Sequence, residues 1–131
     1  SQCIIPATAF VEGFGDRKTY HMIELLGSAI AFGGLYKEYK SRKTGETVYS
    51  ASIITLPSVF SAWNKISPKS MPLMLDFNDQ ALMEKWISPE FSEIGEFSKL
   101  LSGCLPEDLT ATLIAKPSRW DPIGERFRIG G

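Results

Sequence analysis

One histidine and two cysteines are too few for most metal or nucleophile chemistry. A structural zinc site needs four ligands at short spacings, whereas His21 is alone and Cys3 and Cys104 lie near opposite ends of the chain. The same two cysteines make no disulfide framework, and they read as small buried apolar groups in a reducing, cytoplasmic setting. No apolar run reaches the roughly 18–20 residues of a membrane-spanning helix. The opening Ser1-Gln2-Cys3-Ile4-Ile5-Pro6 has no basic region before an apolar stretch, so it is no secretory leader. It also has no initiating methionine and enters strand-like residues at once, so the chain is expected to begin inside a larger domain. Walker loops, dinucleotide fingerprints, Gly-x-Ser-x-Gly elbows and paired histidines are all missing, and no cofactor or metal is implied. Gly13-Phe14-Gly15 is a glycine pair without a following helix and signifies a turn.

What is present fits a single folded domain over residues 1–131. Apolar residues make up 44% and charged residues 22%, a globular balance. The net charge of −1 is neutral as to partner, but its distribution is uneven. Asp76 to Asp108 holds eight acids and only Lys85 and Lys99 as bases, which leaves seven acids and twelve bases elsewhere. If those remaining segments share a face, that face attracts phosphate; if they do not, they are ordinary solvated charge.

The first half of the chain reads as strands. Phe10-Val11 runs into turn chemistry at Gly13 to Asp16, and Tyr20 to Leu26 alternates until Gly27-Ser28 breaks it. Ala29 to Tyr36 is an apolar run interrupted by Gly33-Gly34, as suits a buried strand closely approached by another segment. Lys37 to Glu46 is a charged, hairpin-like excursion with Lys43-Thr44-Gly45 at its tip. Val48 to Leu56 is β-branched and apolar, predicting a central strand ended by Pro57. The second half turns helical: Leu82, Met83, Trp86 and Ile87 follow an Asn78-Asp79 cap, and Phe91, Ile94, Phe97 and Leu101 form a second stripe closed by Gly103. Leu109 to Ala115 is a late strand. The order predicts an α+β domain, mostly antiparallel sheet or open barrel, with two or three helices in the second half.

Two features suggest chemistry. Glu12 ends the Ala9-Phe10-Val11 strand just before the glycine turn. Over an apolar core its carboxyl would have a raised pKa and suit proton transfer; at an open strand end it would be a solvated acid. In Ser67-Pro68-Lys69-Ser70-Met71-Pro72, two prolines bracket a lysine and two hydroxyls, a rigid connector that could equally hold a site loop in place. His21 sits in an alternating strand and reads as structural.

Both features fall within one resemblance. Cys3-Ile4-Ile5-Pro6-Ala7 leading through Phe10-Val11-Glu12 is similar to the segment of the SOS-response-associated peptidase (SRAP) family that leads into Gly-Phe-Tyr-Glu-Trp. Ala31-Phe32-Gly33-Gly34-Leu35-Tyr36 resembles its Phe-Ala-Gly-Leu-Trp strand, and Ser52-Ile53-Ile54-Thr55 its Thr-Ile-[Ile/Leu]-Thr strand. Ser67 to Leu75 resembles its His-x-[Arg/Lys]-Met-Pro block in a longer, phage-related form. Trp86-Ile87-Ser88-Pro89 matches the Trp-Leu-x-Pro after the next helix. The match runs in order from Cys3 to about Pro89.

The resemblance implies binding of abasic sites in single-stranded DNA. In the family a mature N-terminal cysteine cross-links to the opened sugar, helped by a glutamate and a histidine. Glu12 matches the glutamate. Ser67 takes the histidine's place, and a serine is a poor acid or base near neutrality; the shorter form of the loop would put Pro68 there instead. Lys69 stands where a phosphate-binding arginine would, and Lys69 and Thr55 are the implied DNA contacts. Gly13 replaces the usual tryptophan. Cys3 matches an internal strand cysteine rather than the nucleophile, which the resemblance places upstream. The implied protein is a cytoplasmic, bacterial or phage-related, DNA-associated one. A second possibility is a non-catalytic fold remnant that binds DNA or protein. A peptidase acting on other proteins finds no nucleophile–base pair here. Half a sheet leaves open edges, so self-association or a companion N-terminal fragment is expected.

Overall fold

The computed structural model describes residues 1–57, 60–88, 106 and 108–129. β-Branched and aromatic residues at alternate positions make most of these residues strands, arranged in three antiparallel sheets. In the first, β1 (Gln2–Ala7) and β5 (Thr47–Ile53) flank the long β4 (Ile30–Lys40), and the short β8 (Met74–Leu75) pairs with β4 as well. In the second, β3 (Tyr20–Leu25) lies between β2 (Ala9–Gly13) and β9 (Leu109–Lys116), with β10 (Arg119–Pro122) and β11 (Phe127–Arg128) against β9. The third pairs β6 (Thr55–Pro57) with β7 (Ser70–Pro72). Thr8 alone separates β1 from β2, so the chain passes from the first sheet directly into the second.

The two larger sheets meet through aromatic contacts. The ring of Phe10 on β2 meets Phe32 on β4 edge-on at 5.1 Å and stacks on Trp63 at 6.4 Å. Ile23, Ile30, Ala31, Leu73, Leu109 and both Trp63 and Trp86 are buried around them. Each tryptophan also fastens one element to another. Trp63 donates its Nε1–H to the Ser70 carbonyl at 2.8 Å, and Trp86 donates to the Cys3 carbonyl at 2.9 Å. A buried indole thus fills space and satisfies a strand carbonyl at once.

Gly33-Gly34 is closely approached, as the sequence predicts. A Cβ on Gly33 would lie 2.6 Å from Leu73 Cδ2, and one on Gly34 would lie 2.9 Å from the Ser52 carbonyl oxygen. At Gly33 the partner strand of β4 changes. Its N–H donates to the Leu73 carbonyl, its carbonyl accepts from Ile54 N–H, and Leu73 N–H donates to the Ile54 carbonyl.

Three sequence expectations need correction. Val48 to Leu56 is not a central strand: it breaks at Ile54, and β5 is an edge strand with mostly exposed side chains. The strand that the apolar run begins does not end at Tyr36: β4 continues to Lys40, and the charged, hairpin-like excursion is the outer half of a paired β4–β5 hairpin whose turn uses Gly45 at φ 72°. Among the described residues there is one α-helix, α1 (Gln80–Ile87), in place of two or three. Its N-cap is Asp79, which accepts from Leu82 N–H at 3.0 Å, and its apolar stripe buries Trp86. Residues 60–75 form a 3₁₀ turn (Trp63–Lys65) and short strands, because Pro68 and Pro72 interrupt any helix there. The stripe Phe91, Ile94, Phe97 and Leu101 lies outside the described residues, as does Cys104. The described strands do not close into a barrel.

Candidate functional site

The site is built on the β2–β3 hairpin. Its turn is fixed by Asp16, whose carboxylate accepts from Lys18 N–H at 2.9 Å and from Thr19 N–H and Oγ1–H at 2.7 Å each. These bonds hold the exposed Asp16 carboxyl down at about 2. Phe14 N–H closes the loop onto the Thr19 carbonyl. That turn sets a register in which Glu12 lies directly opposite His21, and Phe10 opposite Ile23. Antiparallel partners point to the same face. Glu12 and His21 therefore continue the core-facing row of Phe10 and Ile23 to the end of the sheet.

Burial pushes the two groups in opposite directions. Desolvation raises the half-buried Glu12 carboxyl above the usual carboxylate range. It lowers His21, whose ring is 7% exposed and meets Phe127 edge-on at 5.8 Å. Both shifts favour the uncharged form. His21 Nδ1 has no hydrogen-bond partner among the described residues. Gly13, where the family resemblance expects a tryptophan, lies under the Tyr20 ring, whose Cε1 would be 3.1 Å from an added Cβ.

The loop expected to assist Glu12 approaches through Trp63. Phe10, two residues from Glu12 on the same face, stacks on Trp63, and Trp63 bonds to the carbonyl of Ser70, the residue after Lys69. Ser67 is buried, and its N–H donates to the Trp63 carbonyl. Lys69 is exposed and forms no ion pair among the described residues. Thr55 is exposed opposite Pro72 in the β6–β7 ladder, which starts directly after Lys69. Cys3 is partly covered, and burial raises its thiol, which disfavours the reactive thiolate.

Two other surfaces carry polar groups. An open cleft of about 430 Å³ lies at the far end of β3, lined by Leu25, Ser28, Asp76, Phe77, Asn78 and Asp108 among others. Its described lining offers two carboxylates and the Ser28 hydroxyl but no imidazole, thiol or amine, and Asp108 is bound to Arg128 at 2.7 Å. The outer β4–β5 hairpin carries exposed Tyr36 and Tyr49, whose rings lie 6.4 Å apart. Lys37, Lys40, Arg42 and Lys43 on the same hairpin make no ion pair among the described residues. Also among the described residues, no group of three or more His, Cys, Asp or Glu is placed to hold a metal, and no helix is long and apolar enough to cross a membrane.

From the sequence His21 reads as structural and Trp63 is unremarked; the structure sets His21 opposite Glu12 and Trp63 against Phe10. The alternation around His21 marked its face, but only the register of the turn reveals its partner. Trp63 had no signal beyond its size.

Comparisons with known proteins bear on family and fold. The family model described as SOS response associated peptidase (SRAP) matches residues 1–117. Among solved structures, the crystal structure of a protein from Bacteroides thetaiotaomicron is similar, with a TM-score of 0.67 and 26% identity over 86% of this chain. The match takes in 49% of that protein, so this chain spans about half its length. No curated protein matches in sequence.

Proposed function

The chain belongs to the SOS response associated peptidase (SRAP) family, and on that premise we propose that it is the part of an abasic-site sensor that holds single-stranded DNA beside the acid Glu12. The observation that carries the reading is the position of Glu12. It is a half-buried carboxyl, raised by desolvation, on the face that reaches the Trp63–Ser70 loop through Phe10. A carboxyl whose pKa is raised holds its proton more readily than an exposed one and can hand it to a sugar oxygen. Lys69, exposed beside that loop, serves as a phosphate contact, and Thr55 as a polar contact on the adjoining ladder. The outer hairpin extends the surface with tyrosine faces on which bases stack and cations that track a phosphate backbone.

In this reading the covalent step belongs to a cysteine that is not among these residues. Cys3 is an internal strand residue with a raised thiol, and its carbonyl is engaged by Trp86. The nucleophile would come from a companion segment seated on a sheet edge that is open among the described residues, such as that of β2.

The test is to incubate the chain with an oligonucleotide bearing one abasic site, then to analyse it by fluorescence anisotropy and on a denaturing gel. The expected result is salt-sensitive binding without a covalent band. Absence of binding at low salt defeats the DNA reading, and a strong covalent band defeats the assignment of the nucleophile elsewhere. The buried Ser67 favours a second reading, a non-catalytic interaction module, because it puts no imidazole in the loop. That module would bind intact and abasic strands equally.

A further inference from the structure

The outer half of the β4–β5 hairpin is a ribbon with mostly exposed side chains, yet its two faces differ. Successive residues of a strand alternate between faces, and directly opposed residues of an antiparallel pair share one. The register Tyr36↔Ala51, Glu38↔Tyr49 and Lys40↔Thr47 therefore puts Tyr36, Glu38, Lys40 and Tyr49 on one face, and Leu35 and Tyr39 on the other. The first face is also that of Phe32, four residues before Tyr36 on β4, and Phe32 meets Phe10 in the row that ends at Glu12. The tyrosine face thus belongs to the side of the sheet that packs on the strand of Glu12. Tyr36 and Tyr49 are 39% and 64% exposed, with ring centroids 6.4 Å apart and planes inclined at 54°. Such a pair leaves the face of Tyr49 open and stands Tyr36 beside it as a wall. Residues 37–46 hold Lys37, Lys40, Arg42 and Lys43 against Glu38 and Glu46, and none of these forms an ion pair among the described residues. That positive surplus complements a polyanion.

We propose that the Tyr36–Tyr49 face of the hairpin holds an undamaged nucleotide of the bound single strand, its base stacked on Tyr49 and walled by Tyr36, its backbone phosphates along Lys40, Arg42 and Lys43. An aromatic face accepts any base, since every base has a π-face, while the cations take up the charge of the backbone. The centre of a protein interface is depleted of charge, whereas this face carries Glu38 directly opposite Tyr49 and Lys40 two residues on. Glu38 is the one carboxylate on the paired part of this face, and it stands against the phosphates. The inference rests on the abasic-DNA reading and adds to it a second point of contact, which does not sense the lesion.

The test is fluorescence anisotropy at low salt with a labelled, intact oligothymidylate of about twelve nucleotides, a length within the range such surfaces occupy. Tyr49→Ala should weaken binding about tenfold, the scale of one base–aromatic stack, and Tyr49→Phe should keep it. Tyr39→Ala removes an exposed tyrosine from the opposite face and should leave the affinity unchanged. Glu38→Gln should tighten binding by removing the opposing charge. All of these replace exposed side chains, so folding is preserved. A second measurement follows the tyrosine ring resonances of the wild type. Those of Tyr36 and Tyr49 should move on adding the oligothymidylate, and those of Tyr39 should stay still. An unchanged affinity for Tyr49→Ala, or equal losses for Tyr49→Ala and Tyr39→Ala, overturns this inference. So does binding of an abasic strand without binding of the oligothymidylate, and in each case the DNA reading stands. Binding of neither strand overturns both.

Discussion

Replacing Lys69 by alanine should weaken single-stranded DNA binding by an amount set by salt. Lys69 is exposed, forms no ion pair among the described residues, and adjoins the β6–β7 ladder. Removing it therefore takes away a phosphate contact without disturbing the core. For single strands, each neutralised phosphate contributes about 0.7 to the slope of log affinity against log salt. One lost contact then costs about eightfold at roughly 0.05 M salt, about fivefold at 0.1 M and about threefold at 0.2 M. If the strand also contacts Lys37, Lys40, Arg42 and Lys43, five phosphates give a wild-type slope of about −3.5, and the variant should show about −2.8. The assay is anisotropy of a labelled oligonucleotide titrated at four salt concentrations. Parallel lines for wild type and variant, whatever their offset, would show that Lys69 touches no phosphate and would refute its placement on the DNA path.

Three further outcomes follow from the packing and the titrating groups. Gly34→Ala brings a methyl to 2.9 Å from the Ser52 carbonyl, which the β4–β5 ladder holds in place. Overpacking of about 1–3 kcal/mol, offset by about 0.5–1 kcal/mol from a stiffer unfolded chain, should leave a net loss visible in urea unfolding. Trp63→Phe leaves the Ser70 carbonyl without its indole donor and opens space beside Phe10, so a loss of about 2–4 kcal/mol is expected in the same measurement. Glu12→Gln should match the wild type near pH 4 and exceed it by pH 8. The raised carboxyl contributes stability that is whole below its unfolded pKa and is lost as pH rises through the folded one. Because the group is only half-buried, solvent screening keeps that gain below about 1 kcal/mol, and an offset independent of pH would count against it. His21 runs the other way: its lowered pKa gives stability that is present above the unfolded value and lost as pH falls through the folded one.

How much was legible depended on whether a feature was local. Asp79 followed by a periodic apolar stripe announces α1, since cap and stripe lie within one turn of each other. Consecutive glycines in an apolar run announce the close approach at Gly33-Gly34, because few other contexts place two residues without side chains in a buried strand. Glu12 stood out because an acid ended an apolar strand. Its partner did not, since pairing with His21 depends on how residues 14–19 turn, including Arg17 at φ 62°, and a slip of one residue would send His21 to the opposite face. β10 and β11 escaped notice because they are four and two residues long, and Pro122 and Gly124 obscure any alternation. The outer half of β4 was hidden by its lysines and Glu38, since a strand exposed on both faces has no apolar period to display.

The exchange of partners at Gly33 has a consequence for how the molecule comes apart. One residue there supplies the donor for the strand carrying Leu73 and the acceptor for the strand carrying Ile54, and those two also bond to each other. None of the three can let go without uncoupling a second, so fraying that begins at the hairpin tip stops at this triangle. Everything behind it, including the β6–β7 ribbon that leads from Lys69, opens as a single event.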